Sequence, residues 1–158
     1  MQKLPRHFVE LSFDGTAYSG WQRQINSDRC IQAIIEASLS KILKDKIYTT
    51  GCGRTDAGVH ASQFFLHFDA DVRDKEDLKT KLNYSLPDQI TIHNIIPVHE
   101  NAHARFDAKE REYTFNIHFT KDPFLSRFSS YYPIVELDID IMDRACELLK
   151  LSKDFVSF

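Results

Sequence analysis

Ile47-Tyr48-Thr49-Thr50-Gly51-Cys52-Gly53-Arg54-Thr55-Asp56-Ala57-Gly58-Val59-His60-Ala61-Ser62-Gln63-Phe64-Phe65-Leu66-His67-Phe68 is the stretch on which the fold turns. Ile47 to Cys52 reads as a strand, Gly53–Gly58 as a loop, and Gln63 to Phe68 as a strongly apolar strand. The aromatic run Phe64, Phe65, Leu66 and Phe68 is the pattern of a buried central strand.

Upstream, residues 7–13 alternate. Val9, Leu11 and Phe13 fall on one face and Glu10 and Ser12 on the other, the mark of a half-buried strand. Asp14-Gly15 is a turn signal that ends it. An irregular segment from Thr16 to Ser27 holds Trp21, the chain's single tryptophan. Ile31, Ile34, Ile35, Leu39, Ile42 and Leu43 recur at helical spacing, which predicts a helix near 29–44 with Asp28 as N-cap. Downstream, Asp74 caps a second predicted helix carrying Leu78 and Leu82, and Ile90 to Val98 reads as a fourth strand. The order is β-α-β-β-α-β over about the first hundred residues. This predicts an α+β class with a ferredoxin-like split arrangement, its helices covering one sheet face.

After it come a predicted strand around Arg111–Phe119, a loop at Pro123 and a third helix from about 139 to 150. Its apolar stripe is Ile141, Ala145, Leu148 and Leu149. Asp154-Phe155-Val156-Ser157-Phe158 opens an apolar alternation and stops. A helix and a loose strand are too few to close a second sheet. The expected division is therefore 1–100 as a ferredoxin-like domain carrying the Asp56 loop, and 101–158 as the start of an incomplete second α+β domain.

The 158 residues are 42% hydrophobic and 27% charged, which fits a folded globular chain and excludes disorder as the main state. No apolar run nears the roughly 20 residues that span a bilayer. The N-terminus lacks a signal-peptide core, so the expected compartment is the cytoplasm. Cys30, Cys52 and Cys146 are far apart and read as reduced thiols. The net charge of −3 does not announce a nucleic-acid binder. Its distribution is uneven: residues 1–68 carry 8 Lys and Arg against 6 Asp and Glu, and residues 69–158 carry 12 against 17.

Chemistry concentrates at Gly51–Ala61. Three glycines in eight residues let the backbone bend and a ligand approach closely. Arg54 precedes Asp56 by two residues, and in extended chain such residues point to one side. Arg54 is thus expected beside Asp56, keeping it ionised as a nucleophile or general base. Standing alone, an Arg-x-Asp in a glycine loop more often braces a turn.

Gly53-Arg54-Thr55-Asp56-Ala57-Gly58-Val59-His60 resembles the signature of the tRNA pseudouridine synthases of the TruA type. Two further segments agree in order. Tyr18-Ser19-Gly20-Trp21-Gln22-Arg23-Gln24, after Phe13-Asp14-Gly15, resembles that family's first-strand exit. His103-Ala104-Arg105-Phe106-Asp107-Ala108, followed by Arg111-Glu112-Tyr113, resembles its later block. The resemblance runs from about residue 6 to the end and covers about the first three-fifths of a typical member. One departure is Tyr113-Thr114-Phe115, where the family often shows Tyr-x-Tyr.

The resemblance implies an isomerase that detaches uracil from its ribose, turns it and reattaches it through carbon, with no cofactor. It implies Asp56 as the catalytic nucleophile, Arg54 orienting Asp56 and contacting the flipped nucleotide, and Tyr113 stacking on the uracil. A stacked uridine must be extruded to react, and Arg105 is the candidate to support its phosphate or fill the vacated space. Trp21, Gln22, Arg23, Gln24 and His60 complete the candidate RNA contacts, with Trp21 equally readable as a core anchor. The implied partners are tRNA, through its anticodon stem-loop, and a second copy of the chain in a homodimer.

A metal reading of His60, His67 and Asp69 fails because no matching His or Cys pair completes a site. Two other readings compete with the enzyme. One is a non-catalytic RNA-binding module of the RRM kind; against it, Ser62-Gln63-Phe64-Phe65-Leu66-His67-Phe68 lacks the basic-Gly-aromatic opening of such a domain. The other is an inactive fragment of the synthase.

Overall fold

The computed structural model describes residues 4–134 and 137–156. It is a mixed α+β structure of two compact units, one running through Arg111 and the other from Glu112. Among the described residues, no helix is long and apolar enough to cross a membrane.

In the first unit the elements follow as β1 (Arg6–Phe13), α1 (Ile31–Leu43), β2 (Thr50–Gly51), β3 (Ala61–Asp69), α2 (Lys75–Ser85) and β4 (Ile90–Val98). The sheet order is β2-β3-β1-β4 and every pair is antiparallel. The alternation in β1 does what its period requires: Val9, Leu11 and Phe13 are buried with Phe64, Leu66 and Phe68 of β3 and Ile92 of β4. Ile31, Ile35 and Leu39 of α1 and Leu78 and Leu82 of α2 close the same apolar cluster. The opposite sheet face is polar at its centre. Glu10 accepts from Gln63 Nε2 at 2.7 Å and Asn94 Nδ2 at 2.6 Å, and these bonds hold its carboxyl below the usual range.

Asp74 caps α2 as predicted, accepting from the amides of Glu76 and Asp77. Asp28 does not cap α1. The helix begins later, with Cys30 at the cap position and no side-chain cap bond. Its first amides are satisfied by other backbone: Ile31 N–H donates to Gly20 O at 3.2 Å and Gln32 N–H to Trp21 O at 3.0 Å. The segment before the helix thus performs the cap's task.

The strand expected over Ile47 to Cys52 shrinks to Thr50–Gly51. The reason lies in α1. Glu36 Oε1 accepts from Thr49 N at 2.8 Å and Thr49 Oγ1 at 3.1 Å, while Gln32 Nε2 donates to Thr49 O at 2.9 Å and Ser40 Oγ accepts from Ile47 N at 2.9 Å. Side chains of the helix take the backbone groups that a longer strand would have given to a ladder.

The second unit holds β5 (Ile117–His118), β6 (Ser130–Tyr131) and α3 (Ile139–Leu151). β5 and β6 pair in parallel. The strand expected around Arg111–Phe119 is therefore only two residues long: Ser130 N–H donates to Asn116 O at 2.8 Å, and among the described residues no strand ladder extends back over 111–115. α3 follows its prediction closely, with Asp138 accepting from Ile141 N at 2.9 Å. Ile141, Leu148 and Leu149 are all exposed. Of the apolar alternation at 154–158, Ser157 and Phe158 lie outside the described residues.

Candidate active site

The Gly51–Ala61 loop rests on the segment that leaves β1. Trp21 N–H donates to Thr55 O at 3.1 Å, and Gly58 N–H to Tyr18 O at 3.3 Å. At the loop's far end His60 Nδ1 lies 3.2 Å from Gly15 N and 3.0 Å from Asp14 Oδ1. Two glycines permit this fit. A Cβ on Gly15 would stand 2.0 Å from Val59 O, and one on Gly20, whose φ is +92°, would stand 2.4 Å from Thr55 O. Gly58, at φ +79°, turns the chain back after Asp56, and Val59 N–H closes the turn onto Asp56 O at 3.3 Å.

This anchoring leaves Arg54 and Asp56 exposed. Among the described residues no ion pair joins them. The ion pair expected of Arg54 and Asp56 is therefore not formed: the same-side rule holds for extended strand, and residues 54–58 are a loop ending in a turn. Arg54 instead lines a cleft of about 210 Å³ with Gln22, Gln32, Thr50, Gly53 and Arg105. Asp56, two residues beyond Arg54, lies outside that lining.

Arg105 reaches the cleft through a segment bolted to the sheet. Arg6 forms a two-point pair with Asp69, at 2.7 and 2.8 Å, and donates from Nη1 to Ala102 O at 2.8 Å. Ala102 and Ala104 are buried, and Ala104 N–H donates to His67 Nδ1 at 3.1 Å. Burial, followed by the nearby Arg6 charge, pushes His67 down to about 4. The ring therefore stays neutral and keeps the acceptor that Ala104 needs. Asp107 Oδ2 accepts from His103 N at 2.7 Å and tightens the turn around Arg105.

The other predicted contacts separate. Gln22 lines the cleft with Arg54 and Arg105. Trp21 is 1% exposed, with ring centroids 6.2 Å from Phe13 and 4.3 Å from Phe64, and it also borders the cleft beside Gln22. A Cβ on Gly51 would meet its indole Nε1 at 2.6 Å, so the tryptophan fills the space that Gly51 leaves. Trp21 thus packs in the core and forms part of the cleft wall. Arg23 pairs with the buried carboxylate of Glu36, which fixes its guanidinium to α1. Gln24 donates to Ser19 O at 3.2 Å within a small turn, and His60 braces the loop base. Tyr113 belongs to the other compact unit, where it is 77% exposed.

The sequence assigns no role to Gln32 or Glu36, and none to Arg111 beyond its place in the Arg111-Glu112-Tyr113 match. Gln32 and Glu36 stand one turn apart beside an apolar stripe, a visible sign of a buried polar pair. Arg111 Nη2 donates to Cys52 O at 2.6 Å and to Arg105 O at 3.0 Å, and only the fold reveals that.

Comparison with known proteins bears on the same residues. The model of the family described as tRNA pseudouridine synthase matches residues 11–107, which include Arg54, Asp56 and Arg105. The tRNA pseudouridine synthase A of Thermotoga neapolitana is 38% identical over 152 residues, covering 94% of this chain and 61% of that protein. That of Parabacteroides distasonis is 39% identical over 157 residues, covering 98% and 62%. That of Bacteroides thetaiotaomicron is 40% identical over 156 residues, covering 98% and 57%. The chain thus spans about three-fifths of the length of these curated relatives. With a matched region holding both arginine-bearing segments and the glycine-anchored loop between them, the chain belongs to the tRNA pseudouridine synthase family.

Proposed function

We propose that this protein is a tRNA pseudouridine synthase acting on uridines of the anticodon stem-loop, with Asp56 as its nucleophile. In that isomerisation the bond from ribose C1′ to N1 breaks and one from C1′ to C5 forms. The C5 proton leaves and N1 gains one, so atoms balance without a cofactor. An exposed carboxylate on a rigidly anchored loop supports this reading of Asp56. The cleft that brings Arg54 and Arg105 together carries most of the argument. Two permanent planar cations lining one cleft with Gln22 suit the phosphate and edge of one extruded nucleotide. In this reading Tyr113 stacks on the uracil, on the strength of its match to the family block.

The strand order, read as β4-β1-β3-β2 with all pairs antiparallel, supports the ferredoxin-like split arrangement. The same order would permit an RRM, but the open sheet face does not favour RNA binding across it. That face carries the Glu10 carboxylate at its centre, held ionised by two amide donors and repelling phosphate. The homodimer follows from the family resemblance, and the cytoplasmic setting is carried over as the expectation read from the sequence.

Release of tritium from tRNA labelled at uridine C5 tests the proposal, because that hydrogen must leave. Asp56→Asn and Asp56→Ala are expected to abolish release while the far-ultraviolet spectrum and unfolding midpoint stay within error of the wild type. Undiminished release by the alanine variant would remove Asp56 from the mechanism.

A further inference from the structure

The two arginines of the cleft come from segments far apart in the chain, and one side chain spans the gap between their backbones. Arg111 Nε and Nη2 donate to Cys52 O at 3.1 and 2.6 Å, and Nη2 also reaches Arg105 O at 3.0 Å. The stem of the same side chain lies against Gly53, where an added Cβ would stand 3.4 Å from Nε. Cys52 is the last residue before the glycine that leads to Arg54, and its own amide is fixed to Phe65 O at 2.7 Å. One guanidinium therefore ties the root of the Arg54 loop to the carbonyl of Arg105 itself.

We propose that Arg111 is a positioning residue: its fork sets the separation of Arg54 and Arg105, and so the width of the cleft for one nucleotide. This rests on the function proposed above. The geometry requires a planar cation with donors pointing in two directions. A lysine amine is a point charge on a flexible stem and cannot hold the same two carbonyls in fixed relation. The carbonyls of Cys52 and Arg105 occupy the donors of the Nε and Nη2 edge, which distinguishes this guanidinium from the open pair in the cleft.

The test compares wild type, Arg111→Lys and Arg111→Ala as full chains by two measurements. The first is hydrogen exchange read by mass spectrometry, which needs no substrate. Both variants are expected to exchange faster than wild type in peptides covering 51–60 and 103–107, with β1 and β4 unchanged. The second is tritium release from C5-labelled tRNA. Both variants are expected to lose about 10- to 100-fold in kcat/KM, as a displaced contact does, with lysine no better than alanine. Added guanidinium ion is expected to restore part of the alanine variant's rate and none of the lysine variant's. Protection and turnover in Arg111→Lys equal to wild type would overturn the proposal, since charge alone would then suffice. A wild-type chain that releases no tritium would count against the proposed function. The clamp would then be judged by exchange alone, and wild-type protection at 51–60 and 103–107 in both variants would sink it.

Discussion

α1 and α3 are each 13 residues long, and each carries a clear apolar stripe. Their stripes meet opposite fates. Ile31, Ile35 and Leu39 of α1 are sealed against the sheet. Ile141, Leu148 and Leu149 of α3 face solvent, Leu148 at 68% exposure. Periodicity specifies which face of a helix wants cover; it does not specify what covers it. The first unit supplies that cover from its own four-stranded sheet, whereas among the described residues of the second the sheet is a two-residue strand pair. The two units therefore differ in what holds them together, although their local sequence signals are equally strong.

That contrast can be broken by mutation, most sharply in the core of the first unit. Phe64→Ala removes a ring packed against Phe13 and Trp21, and is expected to cost about 3–5 kcal/mol of stability by urea unfolding. A loss under 1 kcal/mol would mean that the aromatic cluster does not organise the unit. Gly20→Ala puts a methyl group 2.4 Å from Thr55 O at a φ of +92°. It is expected to cost about 1–3 kcal/mol and to loosen the Asp56 loop, seen as faster exchange of its amides.

Acid sharpens the comparison more gently. His67 is held down to about 4 against a usual 6.5, so below 6.5 the unfolded chain binds a proton that the folded one refuses. Stability of the first unit is expected to fall as the pH drops from about 6.5 to about 4. His67→Gln should flatten that slope, and an unchanged slope would clear His67 of the effect. The smallest effect belongs to α3: Leu148→Ala is expected to change stability by no more than about 0.5 kcal/mol. A larger cost would show that the stripe is covered in solution.

Much of this fold was legible in single elements. β1, α2, β4 and α3 declare themselves by alternation, helical spacing and an aspartate at the right place, because each depends on local physics. β2 was misjudged because its neighbours are claimed by Glu36 and Gln32, partners more than ten residues away. The cap of α1 was misread for a related reason, as backbone carbonyls took the role that sequence offers to Asp28. At the site, the glycine loop and Arg105 stood out by their motifs. The missing ion pair between Arg54 and Asp56 did not, since it depends on where a loop stops being extended. Arg111 stood in a matched segment, but its role was hidden, because nothing in its neighbours shows that it joins the carbonyl of Arg105 to that of Cys52, 59 residues away.

The excursion between Gly20 and Ile31 has a clasp at its neck: Ser19 N–H donates to Arg29 O at 3.0 Å, and Gln24 and Ser27 form an isolated bridge beyond it. Extra residues inserted at Ile25-Asn26 would lengthen only the tip of a closed lobe, at little entropic cost. The same residues inserted between Gly15 and Gly20 would throw both glycines out of register with the loop they cradle. Length variation is therefore tolerable on one side of this neck and ruinous on the other, although fewer than ten residues separate the two places.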